Sequence, residues 1–142
     1  MDKSLNYMAL ARKAGRIELG EEPVGAAARA VKACLVAVAS DAGDHTWRRA
    51  KSFVAGTSQI AIKVPFTKDE MGQAIGRTSL AIAAFTDPSM ALAFLKALPG
   101  QEKYSQQLEA LEERSSRILQ RQKEARVHER NKRQGKAAVK KH

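Results

Sequence analysis

Two runs of six consecutive apolar residues, 34–39 and 80–85, place the strongest limit on how this chain can fold. Such runs are too short for an ordinary helix, and an apolar side chain at every position indicates a strand that is covered on both faces. Shorter patterns at 17–19 and 60–62 indicate two further strands. Since buried strands need helices on both sides, we predict a three-layer α/β/α sandwich with a roughly four-stranded mixed sheet.

Helical patterns alternate with these strands, so most strand pairs are expected to be joined by helical crossovers. Ser4, Asp44 and Asp87 are suited to cap helices, because their side-chain oxygens can accept hydrogen bonds from the free N–H groups of a first turn. Thr67 and Glu70 have the spacing of a capping box. These signals predict where the helices begin.

Positive charge is concentrated at the C-terminal end of the chain. The whole sequence carries 25 Lys and Arg against 15 Asp and Glu, a formal net charge of +10. Residues 1–113 contain 14 basic and 13 acidic side chains, whereas residues 114–142 contain 11 basic and 2 acidic ones. A Pro-Gly pair, which ends helices, follows residue 98. We therefore predict a folded domain at 1–98 and a basic, partly helical or disordered tail at 99–142.

Composition excludes several classes of protein. No run of about 18 apolar residues could form a transmembrane helix, and the first residues lack the apolar core of a signal peptide. We therefore expect a cytoplasmic protein with no membrane partner. Cys34 is the only cysteine, which excludes an intramolecular disulfide and a thiolate-cluster zinc site and predicts an inert core thiol. Trp47 is predicted to anchor the core rather than to stack on bases.

Catalytic residues are not apparent in this sequence. No nucleophile, base and orienting group are gathered in one motif, so we expect no enzyme, no metal and no cofactor. A sequence pI near 10.1 instead indicates a polyanionic partner, most often nucleic acid.

Two ordered blocks of sequence resemble a known RNA-binding family. The first is LARKAGR at 10–16, followed by LGEE at 19–22, and the second is MGQAIGR at 71–77, leading into AIAAFTD at 81–87. Together they resemble the superfamily of the archaeal ribosomal protein L-seven-Ae and its L-thirty-e relatives, most closely its bacterial YlxQ-type branch. The resemblance covers residues 4–98.

This resemblance implies a kink-turn RNA-binding module that presents two loops on one edge of the sandwich. One loop is the glycine-led turn into the second helix, residues 20–23, and the other is residues 76–79. A helix N-terminus exposes N–H groups that can hold phosphate or base oxygens, and glycine allows close approach of RNA to the backbone. The domain residues implied to contact RNA are Arg12, Lys13, Arg16, Gly20, Glu21, Glu22, Gly76, Arg77, Thr78 and Ser79.

The glycine-led loop departs from the family pattern. Ribosomal members carry Asn, Glu and, three residues later, Lys, whereas this chain has Glu22, Pro23 and Ala26. Glu22 can accept hydrogen bonds but cannot donate them as Asn does, and Ala26 supplies no cation. Glu18 and Glu21 make the loop more acidic than an ordinary phosphate-binding surface. Binding of a standard kink-turn therefore stays open, while the tail still predicts RNA binding.

The tail has a helical pattern and four arginines suited to phosphate contact, Arg117, Arg121, Arg126 and Arg130. A seam of seven residues recurs at alternating spacings of four and three, but half of it is weak or polar, so a stable coiled coil is not expected. If about five tail cations contact phosphates, the logarithm of affinity should fall with the logarithm of salt at a slope of about −3.5 to −4.5. The seam residues are Tyr104, Leu108, Leu111, Ser115, Ile118, Gln122 and Ala125.

Two functions of different classes fit these patterns. The first is a non-enzymatic RNA-binding protein that recognises structured RNA, kink-turn-like or ribosomal, with the tail adding phosphate contacts. The second is a protein-interaction module whose tail helix docks on the ribosome or on translation factors, with little RNA contact of its own. Nuclease treatment distinguishes them, because only the second complex survives it.

Overall fold

The structure is a computed structural model that describes the backbone of residues 2–141 and the side chains of residues 2–131. Six α-helices alternate with four short strands, and a 3₁₀ turn at Gln101–Tyr104 precedes the last helix. The helices are α1 (Lys3–Lys13), α2 (Glu21–Arg29), α3 (Asp44–Val54), α4 (Lys68–Ala74), α5 (Pro88–Ala97) and α6 (Ser105–Lys141). The strands are β1 (Ile17–Leu19), β2 (Leu35–Val38), β3 (Ile60–Lys63) and β4 (Ile82–Phe85).

The four strands form one mixed sheet in the order β1-β4-β2-β3. Strand β4 is antiparallel to both β1 and β2, and β2 is parallel to β3. A helix lies between each strand and the next one in sequence, as predicted. Of the three hydrogen-bonded strand pairs, however, only β2–β3 joins two consecutive strands, which the crossover helix α3 connects. The expectation that most pairs are joined by crossovers is therefore wrong, because β4 inserts between β1 and β2.

Alternating side chains of the central strands form two separate cores, one on each face of the sheet. Leu35 and Ala37 face the core built with α1, α4 and α5, whereas Val36 and Val38 face the core built with α2 and α3. All four are fully buried. The predicted three-layer α/β/α sandwich with a four-stranded mixed sheet is thereby confirmed.

Two of the predicted helix starts differ from the structure. Asp2, not Ser4, caps α1, because its carboxylate accepts the Ser4 backbone N–H at 2.8 Å. Gly43 is the N-cap of α3, and Asp44 is instead the first helical residue, where its charge favours the positive helix end.

The other two predicted helix starts are confirmed. Thr67 and Glu70 form the capping box of α4, in which each side chain accepts a backbone N–H of the other residue. The Asp87 carboxylate accepts the Met90 backbone N–H at 2.9 Å and caps α5.

The first turns of α6 pack on the folded domain. Leu111 is fully buried in the same core as α5, and Ser115 is 5% exposed. Ile118 is half-buried, and beyond it Gln122 and Ala125 of the predicted seam are exposed. The spacing of the seam therefore predicts correctly which face of α6 carries the buried residues. The first half of the seam contacts the domain, and the second half is exposed.

A hydrogen bond also fastens the start of the tail. The Tyr104 hydroxyl donates to the Lys63 backbone carbonyl at 2.7 Å, which joins the 3₁₀ turn to the end of β3. Partial burial raises the pKa of the Tyr104 phenol. The division at residues 98 and 99 stays a prediction, and the cations from Lys132 onward lie outside the residues whose side chains are described.

Cys34 is a free, buried thiol directly before β2, which confirms its predicted place in the core, while its inertness stays a prediction. Burial raises its pKa, and this outweighs the opposing effect of the Arg114 guanidinium. Over the described part of the chain, no helix is both long and apolar enough to cross a membrane.

Candidate nucleic-acid interface

The two predicted RNA-binding loops lie at the same end of the β1–β4 strand pair. The Gly20 N–H, directly after β1, donates to the Ile82 carbonyl at the start of β4, at 3.0 Å. Because β1 and β4 are antiparallel, the end of one strand lies beside the start of the other. The 20–23 loop and the 76–79 loop therefore share one edge of the sandwich, which we call the loop edge.

The 20–23 loop exposes the N-terminus of α2. Gly20 has a φ of +96°, a conformation that favours glycine, and it caps the helix without any side-chain hydrogen bond. Glu21 and Glu22 occupy the first turn, and Pro23 has no N–H. The backbone N–H groups of the two glutamates are thus left to bind an acceptor from outside the helix.

The 76–79 loop packs closely against a glycine of α4, Gly72. A Cβ on Gly72 would lie 2.7 Å from the Ser79 backbone nitrogen, so only glycine allows the loop to fold back onto α4. The Arg77 N–H donates to the Gly72 carbonyl at 2.8 Å. Gly76, with a φ of +73°, makes the turn, and the loop residues Gly76, Arg77, Thr78 and Ser79 are all exposed.

Arg12 reaches the 76–79 loop from α1. Its Nη1 lies 3.2 Å from the point where a Cβ on Gly76 would stand, so the guanidinium lies directly beside the turn. Lys13 is exposed at the end of the same helix. Arg16 is placed differently: its carbonyl accepts the Thr86 N–H beyond the far end of β4. The length of β1 separates the Arg16 backbone from Gly20, and the contact of its exposed side chain with RNA stays a prediction.

A groove between α2 and α3 contains three residues that sequence reasoning missed, Arg29, Arg49 and Phe53. The groove has a volume of about 430 Å³ and is lined by these residues together with Glu21, Glu22, Gly25 and Ala26. The Arg49 guanidinium lies 5.3 Å from the centroid of the Phe53 ring. The i, i+4 spacing of these two residues indicates that they are neighbours on one face of α3. Nothing in the sequence indicates that this face lies against α2.

Arg49 also changes the electrostatics of the glycine-led loop. Its Nε lies 2.6 Å from Glu21 Oε1, so one of the acidic charges expected to repel phosphates is paired. Arg29 lies one helical turn after Ala26, on the same groove. The groove therefore contains two guanidinium groups close to Ala26, the position at which ribosomal members of the family carry a lysine.

The tail arginines are exposed but lie apart from both loops. Arg117, Arg121, Arg126 and Arg130 are all on the surface of α6. Helix α6 packs mainly on α5 and the 3₁₀ turn. At 1.5 Å per residue, Arg130 lies about 20 Å along the helix from Arg117. The structure thus separates the predicted RNA-contacting residues into a domain edge and a projecting basic helix.

Solved structures that share this fold include the following two. One is a protein with unknown function from Bacillus halodurans C, which superposes with a TM-score of 0.60 at 26% identity over 66% of this chain and 98% of that one. The other is a Giardia lamblia 15.5kD RNA binding protein, with a TM-score of 0.57 at 18% identity over 75% of this chain and 85% of that one. No protein-family model and no curated protein matches the sequence.

Metal ligands do not cluster in the described part of the chain. Within it, no group of three or more His, Cys, Asp or Glu side chains could hold a metal ion. The arrangement at the loop edge consists of guanidinium groups, free N–H groups and glutamates, which can bind phosphates and base edges by charge and hydrogen bonding.

Proposed function

We propose that this chain is a non-enzymatic RNA-binding protein that recognises structured RNA, kink-turn-like or ribosomal, at the edge formed by the 20–23 and 76–79 loops. The cationic tail adds phosphate contacts with little sequence preference. In this division the loop edge selects the RNA and the tail contributes affinity.

The main support for this proposal is that two loops containing glycine and several guanidinium groups lie together at one edge of the sandwich. The uncapped start of α2 offers N–H donors, and Arg12 stands against the turn at Gly76. Glu22 is exposed and can accept hydrogen bonds from guanine amino groups. Hydrogen-bonding groups within reach of flanking cations suit an RNA whose helix is distorted and whose base edges are accessible.

The solved RNA-binding protein from Giardia lamblia supports the same conclusion, because it shares this fold. The groove between α2 and α3 adds a reason specific to this chain. Arg29 and Arg49 supply positive charge where Ala26 supplies none, so the loop edge is less acidic than its sequence alone indicates.

Fluorescence anisotropy with the full chain tests this function. The probes are a kink-turn hairpin and a regular duplex of equal length, titrated at about 0.1 M salt, where nonspecific complexes persist. We expect tighter binding of the hairpin and a loss of that preference in Arg12→Gln/Arg77→Gln. The matched control Lys3→Gln/Lys32→Gln removes two exposed cations elsewhere and should keep it. Absence of binding to either RNA would contradict the proposal.

A protein partner for the tail is the second candidate, favoured by two exposed aliphatic side chains on α6. Leu119 is 54% exposed and Val127 is 43% exposed. Such residues could contact a ribosomal protein or a translation factor. Nuclease treatment of the native complex separates the candidates, since an RNA-mediated complex dissociates and a protein-mediated one persists.

A further inference from the structure

Outside the loop edge, one aromatic ring holds two cations on the flank of α3 that faces β3. The Lys51 Nζ lies 5.7 Å and the Lys63 Nζ 5.5 Å from the centroid of the Trp47 ring. Trp47 comes from α3 and Lys63 from the end of the edge strand β3. We refer to these three residues as the tryptophan patch.

The tryptophan patch is only half built into the core. Trp47 packs on the core between the sheet and α2–α3, yet its side chain stays half-buried, while Lys51 and Lys63 are exposed. A core anchor alone would not need cations beside its ring. Both ammonium groups lie within cation–π distance of one ring, so two positive charges lie beside a single aromatic surface.

Within the part of the chain whose side chains are described, no carboxylate forms an ion pair with either lysine. Among the side chains of residues 2–131, the ion pairs within 4.0 Å are Arg49–Glu21 and Lys96–Glu112, and neither involves the patch. Two uncompensated cations beside an accessible aromatic surface are the components with which proteins bind single-stranded nucleic acid, through phosphate contacts and base stacking.

Helix α3 links the patch to the loop edge. Arg49 and Phe53 lie on the flank that faces α2, whereas Trp47 and Lys51 lie on the opposite flank. Arg48, between them in sequence, is exposed. A helix with its side chains is about 10–12 Å wide, so a few nucleotides suffice to cross it.

We propose that the tryptophan patch is a second RNA-contacting site, which binds unpaired nucleotides that flank the structured element held at the loop edge. This inference rests on the proposed function and extends it by naming the class of RNA, a structured element with a single-stranded extension. Charge complementarity selects the phosphate backbone as the occupant, and the ring offers a surface for one base.

Trp47 is the only tryptophan in the chain, so its fluorescence reports directly on the patch. The test titrates the full chain with a kink-turn hairpin and with the same hairpin carrying about eight unpaired uridines at either end. We expect the extended hairpin to bind about tenfold more tightly and to quench Trp47 emission, while the plain hairpin leaves the emission nearly unchanged.

Charge variants locate the effect. Lys51→Gln/Lys63→Gln should abolish the gain from the extension and reduce the salt slope by about 1.4, the value for two phosphate contacts on a single strand. Lys3→Gln/Lys32→Gln, with the same change in charge, should keep the gain.

The outcomes separate the two proposals. A plain hairpin that binds, with an extension that adds neither affinity nor quenching, overturns the patch and leaves the proposed function intact. Failure of both hairpins to bind overturns the proposed function and the patch with it. Poly-glutamate that quenches Trp47 as strongly as the extension, at equal charge, overturns the assignment to RNA in favour of an acidic protein partner.

Discussion

Arg49 of α3 and Glu21 of α2 form an ion pair across 28 positions of sequence, with 2.6 Å between Nε and Oε1. Both side chains are substantially exposed, at 50% and 39%, so the pair contributes about 0–1 kcal/mol to stability. Its larger effect is on the surface potential of the loop edge, where it neutralises a carboxylate beside the N–H groups of the α2 first turn.

Disrupting this pair should change RNA affinity more than stability. Arg49→Gln exposes the Glu21 charge and removes a cation, so we expect RNA affinity to fall about fivefold at 0.1 M salt. Glu21→Gln frees Arg49 and should raise affinity. Anisotropy titrations and urea unfolding check both effects, with Lys32→Gln as the control for loss of one cation. Equal losses for Arg49→Gln and Lys32→Gln would place the pair outside the interface.

Gly72→Ala should displace the 76–79 loop. The new Cβ would lie 2.7 Å from the Ser79 backbone nitrogen, so the loop must move, at a cost of about 1–3 kcal/mol. RNA affinity should fall with it. Gly43→Ala is the comparison variant: its Cβ meets nothing within 4 Å, so it should cost only the N-cap preference for glycine over alanine, about 0.5–1 kcal/mol. Urea unfolding measures both variants, and a Gly72→Ala chain as stable as the unmodified one would contradict the described packing.

Leu111→Ala should destabilise the whole domain, although it lies in the tail. Leu111 is fully buried, so its truncation should cost about 2–5 kcal/mol of unfolding free energy. Leu119→Ala changes a side chain that is 54% exposed and should stay within about 0.5 kcal/mol of the unmodified chain. Thermal or urea unfolding distinguishes them. A neutral Leu111→Ala would show that α6 does not pack on α5.

Tyr104 should make stability sensitive to alkaline pH. Its folded-state pKa is raised by burial, so its stabilisation is complete below the unfolded value of about 10 and is lost as pH rises through the folded value. Tyr104→Phe should cost about 0.5–1 kcal/mol at neutral pH through loss of the bond to Lys63. The difference from the unmodified chain should shrink above pH 10 in urea unfolding. A constant difference up to pH 12 would refute this role.

The tail arginines should set salt dependence rather than selectivity. Replacing all four with Gln should reduce the slope of log affinity against log salt by about 2.8–3.6. The preference for a kink-turn hairpin over a duplex should remain, because the loop edge is unchanged. Loss of that preference would assign recognition to the tail. The replaced residues are Arg117, Arg121, Arg126 and Arg130.

Much of the fold is predictable because local patterns determine it. The apolar runs at 34–39 and 80–85 identify the two central strands, and the Thr67–Glu70 spacing identifies the start of α4. Strand order depends on contacts between distant residues, so the insertion of β4 between its neighbours is not visible in the sequence. For the same reason, the tail seam predicts a helix face but not that Leu111 enters the domain core.

The candidate site is less predictable than the fold, because it is built from different elements. The motif blocks indicate Gly20 and Gly76, yet the pairing of Glu21 with Arg49 exists only after α2 and α3 pack together. Arg16 shows a related limit: it is close to Gly20 in sequence, but its backbone lies at the other end of β1, where its carbonyl accepts the Thr86 N–H.

Chemical-shift mapping of the backbone amides tests the central claim most directly. The full chain, isotope-labelled, is titrated with a kink-turn hairpin at about 0.1 M salt. The largest shifts are expected in the 20–23 and 76–79 loops, with smaller changes along the arginine-bearing part of α6. Shifts confined to α6, with both loops unchanged, would contradict recognition of RNA by the loop edge.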